Sequence, residues 1–556
     1  MEFPMGKLGP SWLRDAVFYE IYPSSFYDSN GDGIGDIPGI IAKLDYLTAL
    51  GVNAVWLNPC FVSPFCDGGY DIADYRQVAP RFGTNDDLFR LFAEAKKRNI
   101  KICLDMVPGH TSTEHPWFKA SCQPEENPYS NYYIWNNSWL APTDGLRMIS
   151  GSTDRNGSFM INYFAMQPAL NYGFANPNPE YPWQLPTDHP DVLKVREELK
   201  NNMRFWLEKG CDGFRVDMAP SLVKKDPGKK ATMALWREVR EMFDREYPEC
   251  ALIAEWAYPP QSLKAGFHCD FQLHCGTPGY TTLFRNEPER DLFNVSGLNK
   301  NTQYEDDGND YTVTNRHSFF DAAGLGDAKA FFDIYMRHYE LTRNDGYISI
   351  PSGDHDMPRI SDFRDKKDLA CVFAFLMTMP GVPFVYYGDE IGMRNIPNLI
   401  SKEGGFTRTQ ARTPMQWDAG NNAGFSAAPA EKLFLPVDRA SDAPNVSDQM
   451  SRADSLWHEV QKLIDLRKST PALHADSELI LLQADYPLVY LRRNKNDYIL
   501  TVIQPARRKW ECNITLPVAA QSLESLKNCN ISAEVCGTLL HLSGDDTQYG
   551  IWKIIR

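Results

Sequence analysis

The sequence lacks the features that mark secreted, membrane-spanning or disulfide-stabilised proteins. Its first residues, MEFPMGKLGPSWLRD, contain no apolar segment of the kind found in signal peptides. No run of about 18 apolar residues is present to form a transmembrane helix. The 12 cysteines are scattered without a C-x-x-C pair, and Cys103 and Cys371 lie in apolar runs, as buried thiols do. We therefore expect a cytoplasmic protein with free thiols rather than a secreted protein with a disulfide framework.

Positive charge is also in short supply. The 57 Lys and Arg residues face 72 Asp and Glu residues, which leaves a net charge of −15. This balance argues against nucleic acid or an anionic membrane as a partner, whereas a neutral substrate is unaffected by it. Aromatic residues make up 12% of the chain, which suits a sugar-binding surface as well as a large core. The 556 residues suffice for two or three domains, and the oligomeric state is unknown from the sequence.

The segment DSNGDGIGD, residues 28–36, lacks one element of the calcium loop that it otherwise resembles. Its D-x-N-x-D-G start matches an EF-hand, but the twelfth position is Gly39 instead of a bidentate glutamate. The residues before it, 16–23, predict a buried strand, and residues 37–51 have helical spacing. An EF-hand has helices on both sides, so this segment is instead predicted to join a strand to a helix.

The chain then alternates between predicted strands and helices. A strand at 52–59, a helix at 86–99 and a strand at 100–107 form a β-α-β unit with a parallel sheet. Further helices are predicted at 192–210, 232–247 and 455–469, and further strands at 212–218, 251–257, 268–274, 347–356 and 382–390. Eight strands that mostly alternate with helices favour a (β/α)8 TIM barrel over an open doubly wound sheet.

Two segments break this alternation. Residues 111–186 are rich in Asn, Pro, Tyr and Gly and too long for a simple loop, so they predict a small domain inserted after strand 3. From residue 474 onward, short alternating strands predict a C-terminal antiparallel β-sandwich. The expected fold class is α/β. The domains are a barrel made of 1–110 and 187–473, the inserted domain 111–186, and the β domain 474–556.

Acidic residues follow four of the predicted barrel strands, where active sites of such barrels lie. These residues are Asp105, Asp217, Glu255 and Asp356. Arg215 shares a strand face with Asp217, and an arginine beside a carboxylate lowers its pKa and keeps it ionised, as a nucleophile requires. Glu255 lies between ALIA and Trp256, and an apolar setting favours the protonated form that a general acid needs. Together they resemble the two-carboxylate machinery of glycoside hydrolysis.

A structural explanation exists for each of these residues taken singly. A lone carboxylate at a strand end is more often a helix cap or an ion-pair partner, and His110 alone would more often be a structural histidine. Four carboxylates, two histidines and one arginine on converging strand ends are harder to explain in that way. The cluster therefore favours an active site.

Seven motifs, in this order, carry a resemblance that covers nearly the whole chain. They are FYEIYPSSFYDSNGDGIGDIPGI, GYDIADY, GFRVDM, the Glu of LIAEW, the HD of GDHDMPR, PFVYYGDEIGM and RTPMQWD. The set is similar to the α-amylase superfamily of glycoside hydrolases, and within it to the branch of α-glucosidases, oligo-1,6-glucosidases and trehalose synthases. No single motif would be specific, but the ordered set is.

The resemblance implies a retaining, exo-acting α-glucosidase that removes terminal α-linked glucose from small α-glucosides. Asp217 matches the nucleophile, Glu255 the general acid and base, and Asp356 the third carboxylate. The implied substrate-binding residues are Tyr70, Asp71, His110, Arg215, His355 and Arg412. Asp105 is expected to orient its neighbours rather than to react. The two reacting carboxyl groups should lie roughly 5–5.5 Å apart.

Four positions depart from the family pattern. Gly109 and Asp354 stand where asparagine is usual, Ala169 replaces an aspartate, and Met218 follows the nucleophile. None of them removes a catalytic group, but they leave the linkage and the aglycone side open. A transglucosidase or a disaccharide isomerase, of the trehalose or sucrose isomerase type, is the alternative because it would use the same site. A non-catalytic carbohydrate-binding homologue is disfavoured because all three acids are present.

The ligand chemistry of residues 28–36 also predicts a cation at the first βα loop. The predicted ligands are the side chains of Asp28, Asn30, Asp32 and Asp36 and the carbonyl of Ile34. Six or seven oxygen ligands suit Ca²⁺, with Mg²⁺ as the other candidate, and the ion would fix the loop rather than take part in the chemistry. The alternative is an Asx-rich turn without metal.

Overall fold

A computed structural model of the chain describes residues 8–136, 138–273, 277, 279–286, 316–403 and 408–556. Its main sheet has eight parallel strands, in the spatial order β7-β6-β5-β4-β3-β2-β1-β8. The strands are β1 Phe18–Ile21, β2 Ala54–Leu57, β3 Lys101–Met106, β4 Gly213–Val216, β5 Ala251–Ala254, β6 Cys269–Phe271, β7 Tyr347–Ser349 and β8 Phe384–Tyr386. The two edges meet where Pro351 pairs with Phe384. The predicted eight-stranded barrel is confirmed, although residue 274 of its sixth predicted strand lies outside the described residues.

Helices cover the outside of the barrel. The longer ones are α1 Ile37–Ala42, α2 Leu44–Leu50, α3 Asn85–Lys97, α4 Pro190–Glu208, α5 Lys230–Glu246, α6 Lys329–Thr342, α7 Lys366–Thr378 and α8 Leu456–Ser469. The helix predicted over 37–51 is interrupted at Lys43, where φ is −107° and ψ is 6°, and it ends at the left-handed Gly51 as expected. No helix in the described ranges is both long enough and apolar enough to cross a bilayer.

Side-chain hydrogen bonds to backbone amides determine where helices α1, α3 and α7 begin. Thr84 and Asp87 form a reciprocal capping box at α3, and Asp365 and Asp368 form another at α7. Asp36 caps α1 by accepting from the amide of Gly39. These caps set the directions in which the chain leaves the loops at the top of the barrel.

The inserted segment has little regular structure. It contains the short helix Pro116–Ser121 and a hairpin of Met148–Ser150 with Ser158–Met160, around a small core formed by Ile134, Phe174 and Trp183. Phe174 also bridges to Lys224, in the loop after β4, so the segment leans on the barrel face where the acidic residues lie. Its bounds, 111–186, stay a prediction.

The C-terminal part forms two antiparallel sheets. Its strands are β9 Glu478–Ala484, β10 Leu488–Asn494, β11 Asp497–Gln504, β12 Trp510–Ala520, β13 Ser522–Asn528, β14 Ser532–Gly544 and β15 Gln548–Ile555. Five of them pair in the order β9-β10-β11-β15-β13, and β12 pairs with β14. A separate apolar core that includes Leu500 and Leu540 holds this part together. Arg492 joins it to the barrel by donating to the carbonyl of Thr378 at 2.6 Å.

The barrel brings the predicted acids to one face. Asp217 follows β4 directly, Glu255 follows β5 directly, and Asp356 lies in the loop after β7. Two residues beside them have left-handed backbones, Met218 with φ 39° and Ala257 with φ 59°. Non-glycine residues adopt this conformation only where the surroundings impose it. The chain therefore turns sharply just after each of the two central acids.

The seam between β7 and β8 depends on a glycine. Gly381 precedes β8 with φ +80°, and a Cβ there would overlap the carbonyl oxygen of Ile348 in β7. We predict that Gly381→Ala lowers the free energy of unfolding by well over the 1–2 kcal/mol that a left-handed alanine costs. Gly537→Ala is the matched control, because Gly537 has φ +61° and open space around it. Urea unfolding of both variants checks this, and equal losses would contradict it.

Candidate active site

One buried guanidinium joins three carboxylates. Arg215 lies on β4, between β3, which carries Asp105, and β5, which Glu255 follows directly. Its Nη1 is 3.0 Å from Asp105 Oδ1 and 3.1 Å from Asp217 Oδ1, and its Nη2 is 2.7 Å from Glu255 Oε2. The side chain of Arg215 is only 3% exposed. Because unpaired buried charges are costly, this cation is what allows three acids to stand together.

Asp217 and Glu255 are both paired with the guanidinium of Arg215, one on each of its terminal nitrogens. Burial raises the pKa of Asp217 well above its ordinary value, and the Glu255 charge adds to this. The Arg215 charge lowers that pKa, as predicted, but it is outweighed. The pKa of Asp217 is therefore raised and not lowered overall, because burial and the Glu255 charge outweigh an arginine that also pairs with Asp105 and Glu255.

The carboxyl group of Glu255 is held by its surroundings on two strands. Its Oε2 accepts from the amide of Met218 at 2.9 Å as well as from Arg215. On β6, Asp270 accepts from the amides of Trp256 at 3.0 Å and Ala257 at 3.1 Å, and so fixes the turn that follows Glu255. Burial raises the pKa of Asp270 to about 7. The sequence showed Asp270 only as an isolated acid in an apolar strand, with no signal of this role.

Asp105 supports its neighbours and does not face the opening. It is 1% exposed and accepts from Trp56 Nε1 at 3.0 Å and from the Tyr70 hydroxyl at 2.9 Å, besides Arg215. Burial raises its pKa to about 6, and these donors oppose the shift. This geometry agrees with the expectation that Asp105 orients other groups. Tyr70 in turn stacks on His355, with ring centroids 5.2 Å apart and planes within 12°.

Asp356 is the most exposed of these acids and is held by two arginines. Its Oδ1 is 2.6 Å from Arg408 Nη1 and 2.9 Å from Arg412 Nη2. Arg408 continues to Asp67, whose Oδ1 is 2.7 Å from its Nη2. Gln167 of the inserted segment donates to the same Asp67. We call the chain Asp67–Arg408–Asp356–Arg412 the end clamp.

The structure does not bring Asp71 into this pocket, although the sequence suggested that it binds substrate. Asp71 is fully buried and accepts from the Ser63 hydroxyl at 2.9 Å and from the amides of Cys66 at 2.9 Å and Asp67 at 3.1 Å. It therefore shapes the loop that presents Asp67. Both Asp67 and Arg408 lie within four residues of positions selected from the motifs. Side-chain direction in irregular loops has no period, so the sequence could not choose between them.

His110 lies at the junction of the barrel and the inserted segment. Its Nδ1 is 3.1 Å from the side-chain amide of Asn162, and its Nε2 is 3.0 Å from the carbonyl of Tyr70. Burial lowers the pKa of His110 to about 4, so the ring is neutral. A Cβ on Gly109 would stand 2.8 Å from Asn162 Nδ2. Asn162 thus occupies the space beside the glycine that replaces the family asparagine, and it supplies an amide there.

The loop of residues 28–36 curls around its own oxygens. Asp28 accepts from the amides of Asn30 and Gly31 through Oδ1 and of Gly33 through Oδ2, and Asp32 Oδ1 accepts from Ile34. Asp28 and Asp36 are buried, whereas Asn30 and Asp32 are exposed. Burial raises the pKa of Asp36, and the nearby Asp28 charge contributes. A divalent cation bound at this loop would offset this repulsion.

Acidic side chains alone do not make up a metal site there. In the ranges that the structure describes, no three His, Cys, Asp or Glu side chains are grouped closely enough to hold a metal ion. The predicted set therefore relies on the amide oxygen of Asn30 and the carbonyl of Ile34 as well. The hydrogen bonds within the loop are also those of an Asx-rich turn.

Comparison with known proteins identifies the family. The description "Alpha amylase, catalytic domain" matches residues 20–268 and 296–476. A glucan 1,6-alpha-glucosidase of Streptococcus pneumoniae is 32% identical, and the alignment covers 92% of this chain and 95% of that protein. The trehalose synthase/amylase TreS of Mycobacterium tuberculosis is also 32% identical, over 83% of this chain and 76% of that protein.

The fold comparison agrees. An isomaltulose synthase mutant from Erwinia rhapontici NX5, solved with its natural substrate sucrose, superposes with a TM-score of 0.78 and 26% identity. The match covers 98% of this chain and all of that one. With the family domain matched over most of the chain, and the buried acids gathered at the carboxyl ends of its barrel strands, the protein belongs to the alpha-amylase family and is a glycoside hydrolase.

Proposed function

We propose that the protein is a retaining, exo-acting α-glucosidase that hydrolyses terminal α-linked glucose from small α-glucosides. Asp217 is the nucleophile, Glu255 the general acid and base, and Asp356 the carboxylate that grips the sugar ring. The single observation that carries this is that one guanidinium, that of Arg215, pairs with both Asp217 and Glu255. An inverting enzyme needs room for a water between its carboxyl groups, roughly 6.5–9.5 Å, whereas retaining enzymes hold them roughly 5–5.5 Å apart.

The reaction then takes two steps. A carboxylate oxygen of Asp217 attacks the anomeric carbon, and the bond to the leaving oxygen breaks as Glu255 protonates it. Glu255, now ionised, takes a proton from water, whose oxygen displaces Asp217 and frees glucose. This sequence requires that Asp217 be ionised and that Glu255 carry the proton when the sugar binds.

The end clamp supports an exo mode of action. Arg408 and Arg412 are both largely buried, and they form ion pairs with Asp356 and Asp67. These four side chains close one end of the proposed site with charged donors and acceptors. Charge-assisted hydrogen bonds of this kind suit the hydroxyl groups of a terminal glucose. We assign to Asp67 the sugar-holding role that the motif suggested for Asp71. Tyr70, His355 and His110 line the same subsite, with Tyr70 as its stacking ring.

A disaccharide isomerase or transglucosidase is the second candidate. The similarity to the isomaltulose synthase and to TreS favours it, and the glycosyl-enzyme is the same. The two functions differ only in whether water or a retained sugar attacks. The glucan 1,6-alpha-glucosidase relative favours hydrolysis and an α-1,6 linkage.

Product identification separates these candidates. Maltose, isomaltose, sucrose and trehalose are incubated with the protein, and the products are separated and quantified. We expect glucose release, with isomaltose the best of the four. A new disaccharide at constant total sugar would instead establish the isomerase, and an absence of turnover on all α-glucosides would contradict both.

Removing either reacting carboxyl should nearly abolish turnover. We predict that Asp217→Asn and Glu255→Gln each lower kcat by roughly 10⁴-fold, because the covalent and acid steps act as a unit. Asp212→Asn is the control: Asp212 precedes the same strand at the opposite end of the barrel, where it pairs with Lys101. The melting temperatures of all three variants are compared to confirm that they are folded. Wild-type turnover by a folded Asp217→Asn or Glu255→Gln variant would disprove the assignment.

The raised pKa of Asp217 predicts the acid side of the pH profile. Asp217 must be ionised to attack, so activity falls as the pH drops through its pKa. We expect this limb of kcat/KM to lie above the ordinary aspartate value of about 3.9. The Glu255→Gln variant is assayed with an aryl α-glucoside, whose leaving group needs no proton. Its acid limb should move to lower pH, because the Glu255 charge that raises the pKa of Asp217 is gone. A limb that stays in place or moves upward would contradict this effect of the Glu255 charge on Asp217.

We also propose that Asp28, Asn30, Asp32, Asp36 and the Ile34 carbonyl hold a structural Ca²⁺, which braces the first βα loop. Free calcium at 100 times its dissociation constant would add about 2.7 kcal/mol to stability. A chelator should therefore lower the melting temperature, calcium should restore it, and Mg²⁺ is tested in parallel. In Asp32→Ala the response should disappear. If the chelator leaves the melting temperature of the wild-type protein unchanged, the metal-free Asx turn is the explanation, and an equal fall in both proteins would contradict a site at this loop.

A further inference from the structure

A buried glutamate beneath the sugar subsite has no role in the chemistry described so far. Glu20 is the third residue of β1 and is completely buried, between Trp56 on β2 and Tyr386 on β8. Its Oε1 is 2.8 Å from Nδ1 of His355. The other ring nitrogen of His355, Nε2, faces Oδ2 of Asp356 at 3.6 Å. Glu20 thus contacts the Nδ1 side of the His355 ring, and the Nε2 side of the same ring faces Asp356 in the proposed active site.

The neighbouring hydrogen bonds determine which way the Asn58 amide points. Tyr70 donates its hydroxyl proton to Asp105 at 2.9 Å, and Asp105 also accepts from Trp56 and Arg215, so it acts as the acceptor. The Tyr70 oxygen must therefore accept from Asn58, whose Nδ2 lies 3.2 Å away. The amide nitrogen of Asn58, and not its oxygen, faces this side.

The same Asn58 nitrogen is 3.1 Å from Nδ1 of His355. An N–H directed at Nδ1 requires that Nδ1 be the unprotonated nitrogen of the ring. Glu20 Oε1 then stands 2.8 Å from a lone pair, which would be repulsive for an ionised carboxylate. The contact becomes a hydrogen bond only if Oε1 carries a proton. A doubly protonated ring is excluded in the same way, because its Nδ1–H would point at the Asn58 N–H.

We infer that Glu20 is a neutral carboxylic acid that donates to Nδ1 of His355, and that it thereby keeps the ring proton on Nε2, aimed at Asp356 and the sugar. Glu20 is a positioning residue, since it acts through His355. The inference rests on the proposed function insofar as that function puts the sugar next to Nε2. The protonation state itself is independent of any substrate.

The charges around Glu20 agree with this geometry. The ionisable groups that face it are Asp354, Asp105, Arg215, His355 and Tyr386. The single cation among them, Arg215, already serves three carboxylates. Burial raises the pKa of Glu20 well above its ordinary value and the nearby Asp354 charge adds to this, which outweighs the lowering by a hydrogen bond from Asn58 and by the Arg215 charge. Burial also lowers the pKa of His355, which keeps the ring neutral.

The second oxygen of Glu20 points to the same state. Among the residues that the structure describes, Glu20 Oε2 is buried without a hydrogen-bond donor. The amide oxygen of Asn58, Oδ1, is also buried without one. A buried carboxylate oxygen without a donor is costly, because charge increases the desolvation penalty. A neutral acid reduces that cost. The departure at Asp354 then has a consequence: it adds a negative charge that helps to hold the proton on Glu20.

Two substitutions separate hydrogen-bond donation from packing. Glu20→Gln keeps an N–H that can donate to Nδ1 but cannot ionise, whereas Glu20→Leu keeps similar bulk without a donor. We expect kcat/KM of Glu20→Leu to be roughly 10- to 100-fold below that of Glu20→Gln, because one buried hydrogen bond to the ring is lost. Glu390→Gln and Glu390→Leu are the matched controls, since Glu390 is another fully buried barrel glutamate, held by the hydroxyls of Tyr19 and Tyr46. Their mutual difference reports the cost of disturbing the core alone.

An infrared measurement without substrate tests the proton directly. The wild-type-minus-Glu20→Gln difference spectrum at neutral pH should contain the carbonyl stretch of one protonated carboxylic acid. A carboxylate band in its place would overturn the inference, as would Gln and Leu variants that differ no more than the Glu390 pair. If the wild-type protein hydrolyses no α-glucoside, the proposed function fails, while the infrared result still decides the state of Glu20.

Discussion

The catalytic face depends on the buried guanidinium of Arg215. Three neighbouring barrel strands deliver Asp105, Asp217 and Glu255 to one point, where their charges would repel each other in a dry interior. Breaking a buried ion pair by removing one partner typically costs about 3–5 kcal/mol, so the arginine is a condition for the site to exist. The rings of Trp56 at 4.8 Å and Tyr70 at 5.8 Å cover the cation and keep water away.

One cation cannot balance all the acids around it, and this sets where protons are held. Arg215 serves three carboxylates, and Glu20 lies behind them with Asp354 nearby. We infer that protons offset this imbalance, since burial raises the pKa values of Asp217 and Glu20. The proposed reaction requires Asp217 to lose its proton before it attacks. The inferred proton on Glu20 stays in place and fixes the tautomer of His355. In the end clamp, Arg408 and Arg412 pair with Asp67 and Asp356, and Arg412 also pairs with the buried Glu403.

The parts of this arrangement with a sequence period were predictable. Alternation of strands and helices gave the barrel, and the two-residue spacing put Arg215 and Asp217 on one strand face. Features without a period were not. The loop after β2 turns Asp67 toward Arg408 and Asp71 away from it, which depends on hydrogen bonds from Ser63 and Cys66 that no local pattern specifies. The sequence pattern also did not predict five elements of the fold: helices α6 and α7 and strands β9, β12 and β13. Strand β12 alternates buried and exposed residues, but its exposed positions include Glu511 and Asn513 among few strong strand formers.

Covalent attachment of the sugar to Asp217 is the central claim, and trapping it is the most direct measurement. A fluorinated glucosyl fluoride that forms the glycosyl-enzyme quickly and hydrolyses slowly is mixed with the protein. The quenched protein is digested, and the modified peptide is sequenced by mass spectrometry. The account predicts one fluoroglycosyl group on the side chain of Asp217, and none in Asp217→Asn. Attachment to Asp356 or Glu255, or turnover of the reagent without any covalent adduct, would contradict it.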